Sequence, residues 1–301
     1  MIFVQTRQLG RVVFWMTGAL LSFSVMAVSV RGLAPVLNTF EILTVRSTIA
    51  LAVILVLLSV SPALRAGLRT QKFGIHFARS AVHLAAQYGW TLGLTLLPLA
   101  MVFALEFTMP AWTALLAALF LGERLTASRI GVIVFGILGV LVILRPGFGA
   151  FNPATLIVLA AAVGFASVMV ITKKLTATET TIGIIFWMNL MQLPMGLLGA
   201  ESITFFNKLG VEHIPAALGM GLGNLSAHFS LSNAMRSGDA SVVVPLDFLR
   251  IPLIALIGWW LYSESLDGFV FAGAGLIIAG VIWNLRAESL RAPAETGRQG
   301  P

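Results

Sequence analysis

Cysteine is missing altogether from the 301 residues. That excludes disulfides, thiolate-bound zinc, iron–sulfur clusters and thiol nucleophiles, and leaves the redox compartment without a signature. Charge is nearly as scarce: Asp, Glu, Lys and Arg make up 10% of the chain, against about 25% in a soluble domain. Catalytic signatures are absent too. There is no His-Glu-x-x-His, no Gly-x-Ser-x-Gly and no close pair of His, so an intramembrane enzyme has nothing to work with. No Gly-x-x-x-x-Gly-Lys loop provides for nucleotide hydrolysis, and nothing asks for a cofactor or a metal ion. What the chain does have is apolar: 58% hydrophobic residues, 29 Gly and a mean hydropathy of +0.96. It reads as an all-α integral membrane protein, and its net charge of +7 is a topology signal, with no nucleic-acid partner implied.

A hydrocarbon core of about 30 Å takes about 20 apolar residues per helix. Ten windows qualify: 12–30, 39–60, 74–95, 99–121, 128–145, 153–172, 181–200, 214–235, 240–262 and 268–285. Breakers separate them, among them Arg31-Gly32-Leu33-Ala34-Pro35, Arg145-Pro146-Gly147 and Arg236-Ser237-Gly238-Asp239. No connection is long enough to fold as a separate soluble domain, so function sits within the bilayer or at its surfaces. Residues 287–301 read as a disordered cytoplasmic tail. Arg7 and Arg11 precede an apolar stretch of 19 residues, which exceeds the roughly 7–15 of a signal-peptide core and reads as an uncleaved first span. With the N-terminus inside, thirteen Lys and Arg fall on the cytoplasmic side, Arg31, Arg145 and Lys208 on the other, and Arg46, Arg79 and Arg250 within spans. The positive-inside rule then puts both termini in the cytoplasm.

Sliding the chain on itself by 141 residues matches its halves. Ala104-Leu105-Glu106-Phe107 falls on Pro245-Leu246-Asp247-Phe248, Gly122-Glu123-Arg124-Leu125-Thr126 on Ser263-Glu264-Ser265-Leu266-Asp267, and Ala86-Gln87-Tyr88 on Ala227-His228-Phe229. An acid matching an acid inside an apolar span is the strongest of these. Five spans per half is an odd number, so the second copy enters the membrane upside down, the arrangement that lets one midplane site face either side in turn.

Leu121-Gly122-Glu123-Arg124-Leu125-Thr126, followed by Gly131 and Gly136-Ile-Leu-Gly139-Val140, resembles the signature that closes each half of the EamA-type drug/metabolite transporters. Arg46 in the second span fits the same family. The resemblance covers about residues 11–286, and the second copy is degenerate, with Tyr262-Ser263-Glu264-Ser265 in place of the Leu-Gly-Glu-Arg form. It implies ten transmembrane helices in two inverted five-helix repeats, 11–145 and 152–286, in a bacterial inner membrane, exporting or taking up small organic metabolites. The overall look is similar to proteobacterial members that take up riboflavin or S-adenosylmethionine, with export of amino acids or small drugs as the alternative.

Charges near the bilayer centre normally face a partner or a wet cavity. The interior acids are Glu41, Glu106 and Asp247, and the bases are Arg46, Arg79 and Arg250. One reading is a central cavity in which Arg46 and Arg79 orient an anionic or carbonyl-bearing cargo while Glu106 and Asp247 take protons. The other is mutual neutralisation: Asp247 and Arg250 sit three apart on one helical face, Glu41 falls at the outer interface, and Arg79 is near enough to the inner end to snorkel. The third span presents Arg79, His83, Gln87 and Trp90 on one face, which belongs on the bundle interior, and the eighth echoes it with Asn224 and His228. The seventh adds Asn189 and Gln192. Trp90 and Phe107 are candidates to stack on a planar cargo. Pro110, Pro194, Pro245 and Pro252 lie inside spans and mark kinks that a midplane site can use. Gly131, Gly136, Gly139, Gly273, Gly275 and Gly280 read as helix packing or, at most, the face of a homodimer. Glu123 and Glu264, just ahead of the N-caps Thr126 and Asp267, read as structural.

A secondary transporter of a small-molecule substrate, embedded in the lipid bilayer, accounts for these features better than a passive channel or scaffold. Dependence of flux on a proton gradient separates the two.

Overall fold

The computed structural model describes residues 2–122, 125–145, 152–175, 178–237, 243 and 246–291, with side chains from Gly10 to Ala287. Glu123, Arg124, Pro146, Gly147, Gly238, Asp239, Pro245 and the stretch beyond Arg291 lie outside the described residues. Every regular element among the described residues is helical. In chain order they are α1 (Ile2–Leu33), α2 (Thr39–Val60), α3 (Pro62–Ala66), α4 (Phe73–Leu96), α5 (Leu99–Glu106), α6 (Met109–Leu121), α7 (Ala127–Leu144), α8 (Ala154–Leu175), α9 (Thr181–Leu198), α10 (Ile214–Ser237), α11 (Arg250–Tyr262) and α12 (Gly268–Arg291). The last runs past Ala287 into the stretch read as a tail, where Ala287, Glu288 and Leu290 are good helix formers.

Among the described residues seven stretches are long and apolar enough to cross a membrane: Gly10–Leu33, Thr39–Val60, Leu99–Leu121, Ala127–Leu144, Ala154–Leu175, Thr181–Leu198 and Gly268–Ala287. The protein is therefore a multi-pass membrane protein. Helices α4 and α10 have the length, 24 residues each, but carry the polar side chains that the sequence assigns to the interior. Helix α11 is a 13-residue apolar helix that begins only at Arg250.

Local chemistry sets the ends. Asn38 and Glu41 form a reciprocal capping box at the start of α2. Thr126 caps α7 by accepting from Arg129 N, Thr180 caps α9 by accepting from Gly183 N, and Asp267 accepts from Phe269 N. Helix α6 ends on Gly122 at φ 67°, and α11 ends the same way on Ser263 at φ 53°. The span 99–121 is not one helix: it breaks at Phe107-Thr108, where Pro110 in the first turn of α6 cannot supply a backbone donor. The break leaves Glu106 as the last residue of α5.

Packing follows the 141-residue displacement. That shift carries the bounds of α4 onto α10 and of α6 onto α11. The most extensive contacts are α1 with α10, α7 with α12, α4 with α8, and α2 with α9. Exchanging the halves turns α1–α10 into α8–α4 and returns α7–α12 and α2–α9 to themselves. One continuous core runs from Phe23 on α1 through Trp90, Phe103 and Ala161 to Ile277 on α12. The small-residue face of α7 and α12 is spent inside the chain: Gly131 lies against Trp283, Gly139 against Gly273 and Ile277, and Gly280 against Phe135. Packing is thus the role of these glycines, and of the six only Gly275 has open space beside it.

Candidate functional site

Arg46, the bulkiest of the fully buried side chains, projects from the middle of α2. Its Nη2 donates to Gln192 Oε1 on α9 at 2.5 Å. Gln192 in turn donates through Nε2 to Ser80 O at 3.0 Å and lies 3.0 Å from His83 Nδ1 on α4. One amide thus ties α2, α4 and α9 together. A turn before His83, Arg79 donates from Nε to Thr172 Oγ1 on α8 at 2.7 Å. Arg79 is buried and held by α8, so it does not snorkel. Buried without a partner are Arg46 Nε and Nη1, Arg79 Nη1 and, one turn before Gln192 on α9, Asn189 Oδ1.

A second cluster gathers where α4, α5 and α11 meet. Asp247 accepts from Arg250 Nη2 through both carboxylate oxygens at 2.6 Å. Glu106 takes Arg250 Nη1 at 3.3 Å through one oxygen and Trp90 Nε1 at 2.7 Å through the other. The Arg250 guanidinium lies 3.9 Å over the Phe23 ring and 5.2 Å from the centre of Phe107. Two carboxylates share one guanidinium here, leaving one excess negative charge that a proton would neutralise. The two matched acids of the halves therefore meet on one base.

The α4 stripe is on the interior: Arg79, His83, Gln87 and Trp90 are all buried. Trp90 is closed off in packing with Phe103, and Phe107 sits edge-on to Phe248. On α10 the face that is buried at Ala217, Gly221 and Asn224 becomes exposed at His228 and Ser232. His228 nevertheless lies deep in the bundle, 6.1 Å from the Phe23 ring and within electrostatic reach of Arg46, Arg79 and Arg250. His228 and Ser232, both exposed, carry polar side chains on the half of α10 nearest Arg236.

Glu41 stands apart from both clusters. Lys208 Nζ bonds it at 3.0 and 3.2 Å and also meets Glu201 at 2.8 Å. These bonds, to Glu201 first and Glu41 second, raise the Lys208 ammonium above its ordinary value. Glu264 has a larger role than capping: it pairs with Arg31 at 2.5 Å and accepts from Leu99 N at 2.9 Å. The left-handed turn at Ser263 aims it there, and sequence spacing carries no sign of a partner more than 200 residues away. Arg31 also donates to Leu94 O and Leu97 O at 2.8 Å and lies 4.5 Å over Tyr262. A surface pocket of about 510 Å³ opens beside it, bounded by Pro35, Thr95 and Pro98. Nearby, Arg145 pairs with Asp267.

A family model described as the EamA-like transporter family matches residues 10–145 and again residues 152–286. The chain is 31% identical over 226 residues to a riboflavin transporter of Brucella anthropi, covering 74% of this chain and 80% of that one. It is 28% identical over 221 residues to an S-adenosylmethionine uptake transporter of Rickettsia felis, covering 73% and 74%. A solved crystal structure superposes with a TM-score of 0.61 at 20% identity, over 93% of this chain and 98% of its own, a likeness of fold alone.

Proposed function

Since this chain belongs to the EamA-like transporter family, we propose that it is a secondary carrier that takes up riboflavin or a similar planar heterocyclic metabolite across the bacterial inner membrane by alternating access. The observation that supports the reading is the gathering of the buried Arg46 and Arg79, the exposed His228 and the Glu106–Arg250–Asp247 cluster within one bundle, which we read as the lining of a central chamber. Ten membrane helices in two inverted repeats suit this mechanism. The exchange of α1–α10 with α8–α4 supports a pseudo-two-fold, and an odd number of spans per half sets its axis in the membrane plane. Both termini then lie in the cytoplasm, the chamber opens inward, and the Arg31–Glu264 end is external.

Residue roles follow from position. Arg46, Arg79, His83, Gln87, Asn224 and His228 supply polar contacts to the cargo. Glu106 and Asp247 exchange the coupling proton at their shared guanidinium, and Trp90 and Phe107 act through the Glu106 and Arg250 they touch. Uptake of S-adenosylmethionine is the second reading, favoured by the unpaired guanidinium donors, which suit its carboxylate.

The test is uptake by cells that lack their own systems for both metabolites, carrying this protein or an empty vector. Labelled riboflavin should accumulate and respond to collapse of the proton gradient. Accumulation of S-adenosylmethionine instead selects the second reading, and accumulation of neither overturns both.

A further inference from the structure

Three arginines lie inside the bundle, but only one has acids. Glu106 and Asp247 are both committed to Arg250, and Glu41 is committed to Lys208. Among the described residues no carboxylate forms an ion pair with Arg46 or Arg79. Both are buried, both act electrostatically on His83 and His228, and their protein partners are neutral: an amide and a hydroxyl. Two cations removed from water without a counter-charge are costly unless something else completes them. The donors left over, Arg46 Nε and Nη1 with Arg79 Nη1, offer N–H groups with no acceptor in the protein.

Resting on the reading of a central chamber as the cargo site, we propose that Arg46 and Arg79 form an anion subsite, so that among planar heterocyclic metabolites those bearing a carboxylate or phosphate are bound more tightly than neutral riboflavin. A guanidinium edge takes two oxygens of such a group at once, which a lone carbonyl cannot match. Gln192 and Ser47 take up Arg46 Nη2, leaving the N–H groups of Nε and of Nη1, on two different sides of the guanidinium, without an acceptor. Asn189 Oδ1, on the same face of α9 and also unpartnered, is an acceptor for an N–H or O–H of the cargo body. The chamber is thus polarised, positive at the α2–α4–α9 junction and negative at the α5–α11 junction. An anionic end and a donor-bearing end have separate places.

The test uses three flavins that share one ring: riboflavin, neutral in its side chain; flavin mononucleotide, with a phosphate; and 10-carboxymethylflavin, with a carboxylate. Each is titrated against the purified protein in lipid nanodiscs at low ionic strength, reading quenching of flavin fluorescence. At least one anionic flavin should bind about tenfold or more tighter than riboflavin, the margin that separates charge-assisted from neutral hydrogen bonds. Which of the two is tighter identifies the group. Arg46→Gln and Arg79→Gln, each checked for an unchanged melting temperature, should collapse the margin, and Arg46→Lys should keep part of it. Either variant alone suffices if the other fails to fold. Equal binding of all three flavins, or a margin that survives in the variants, overturns the subsite while leaving a planar cargo intact. Binding of no flavin overturns the planar-cargo reading, and the subsite falls with it.

Discussion

At the scale of single residues, the chemistry turns on how many acids share a base. Arg250 accommodates Asp247 through two short bonds and Glu106 through one longer one, so Glu106 is the less firmly held of the two. Glu106→Gln keeps an acceptor for Trp90 Nε1 but cannot release a proton. It should cut proton-driven uptake at least about tenfold while cargo exchange without a gradient persists. Asp247→Asn, which leaves Arg250 with one acid, should do the same with a larger loss of stability. Uptake that still responds to the gradient in both variants would remove these groups from coupling. Lys208 gives a prediction outside the membrane. Its raised value means that its pairing stabilises the fold fully below the ordinary lysine value of 10.5 and is lost as pH rises through the higher folded value. The melting temperatures of the native protein and Lys208→Met should therefore differ by a constant amount at neutral pH and converge only above that value. Some of this was legible in the sequence. The Asp247–Arg250 pair follows from their three-residue spacing, which holds although the helix of Arg250 starts after Asp247. The Trp90–Glu106 bond does not, because it depends on the turn at Leu97-Pro98 folding α5 back along α4.

At the scale of elements, amphipathic spacing was informative and helix breaks were not. The i, i+4 stripe of α4 is buried as its spacing requires, because a polar face on a membrane helix has nowhere else to go. The division of 99–121 into α5 and α6 was hidden: a proline within an apolar run is compatible with a kink or with a new first turn, and only tertiary packing decides. The degenerate end of the second copy has a structural reading as well. Ser263 occupies the left-handed conformation that Gly122 occupies in the first half, at a cost of about 1–2 kcal/mol for a residue with a Cβ. Ser263→Gly should relieve most of that, less about 0.5–1 kcal/mol of extra chain entropy in the unfolded state. A small rise in melting temperature with transport unchanged is expected. A fall would show that the serine side chain makes a stabilising contact of its own.

At the scale of the whole molecule, three cations share one end, and each is tied to an acid. Arg31 meets Glu264, Arg145 meets Asp267, and Lys208 meets Glu41 and Glu201. Of these, the Arg31–Glu264 pair joins the most: α1, the α4–α5 turn and the α11–α12 turn are closed on one another through it. In an alternating carrier the end held shut must open in the other state, and bonds made in only one state set the balance between the two. Arg31→Ala or Glu264→Gln should therefore raise the population open at this end, about tenfold for each 1.4 kcal/mol of lost interaction. The absence of native cysteine makes the measurement clean. Ala27 lies one turn below Arg31 and is fully buried, so Ala27→Cys places a single thiol there, to be probed with a membrane-impermeant maleimide added to the side that the proposed topology makes external. Labelling should be slow in an otherwise native chain and faster with either substitution. The double variant should gain little more than either one, since both remove the same link. Unchanged labelling in variants that melt normally would show that this pair does not hold the end closed, and faster labelling of the introduced thiol in Arg31→Lys than in Arg31→Ala would reverse the assignment.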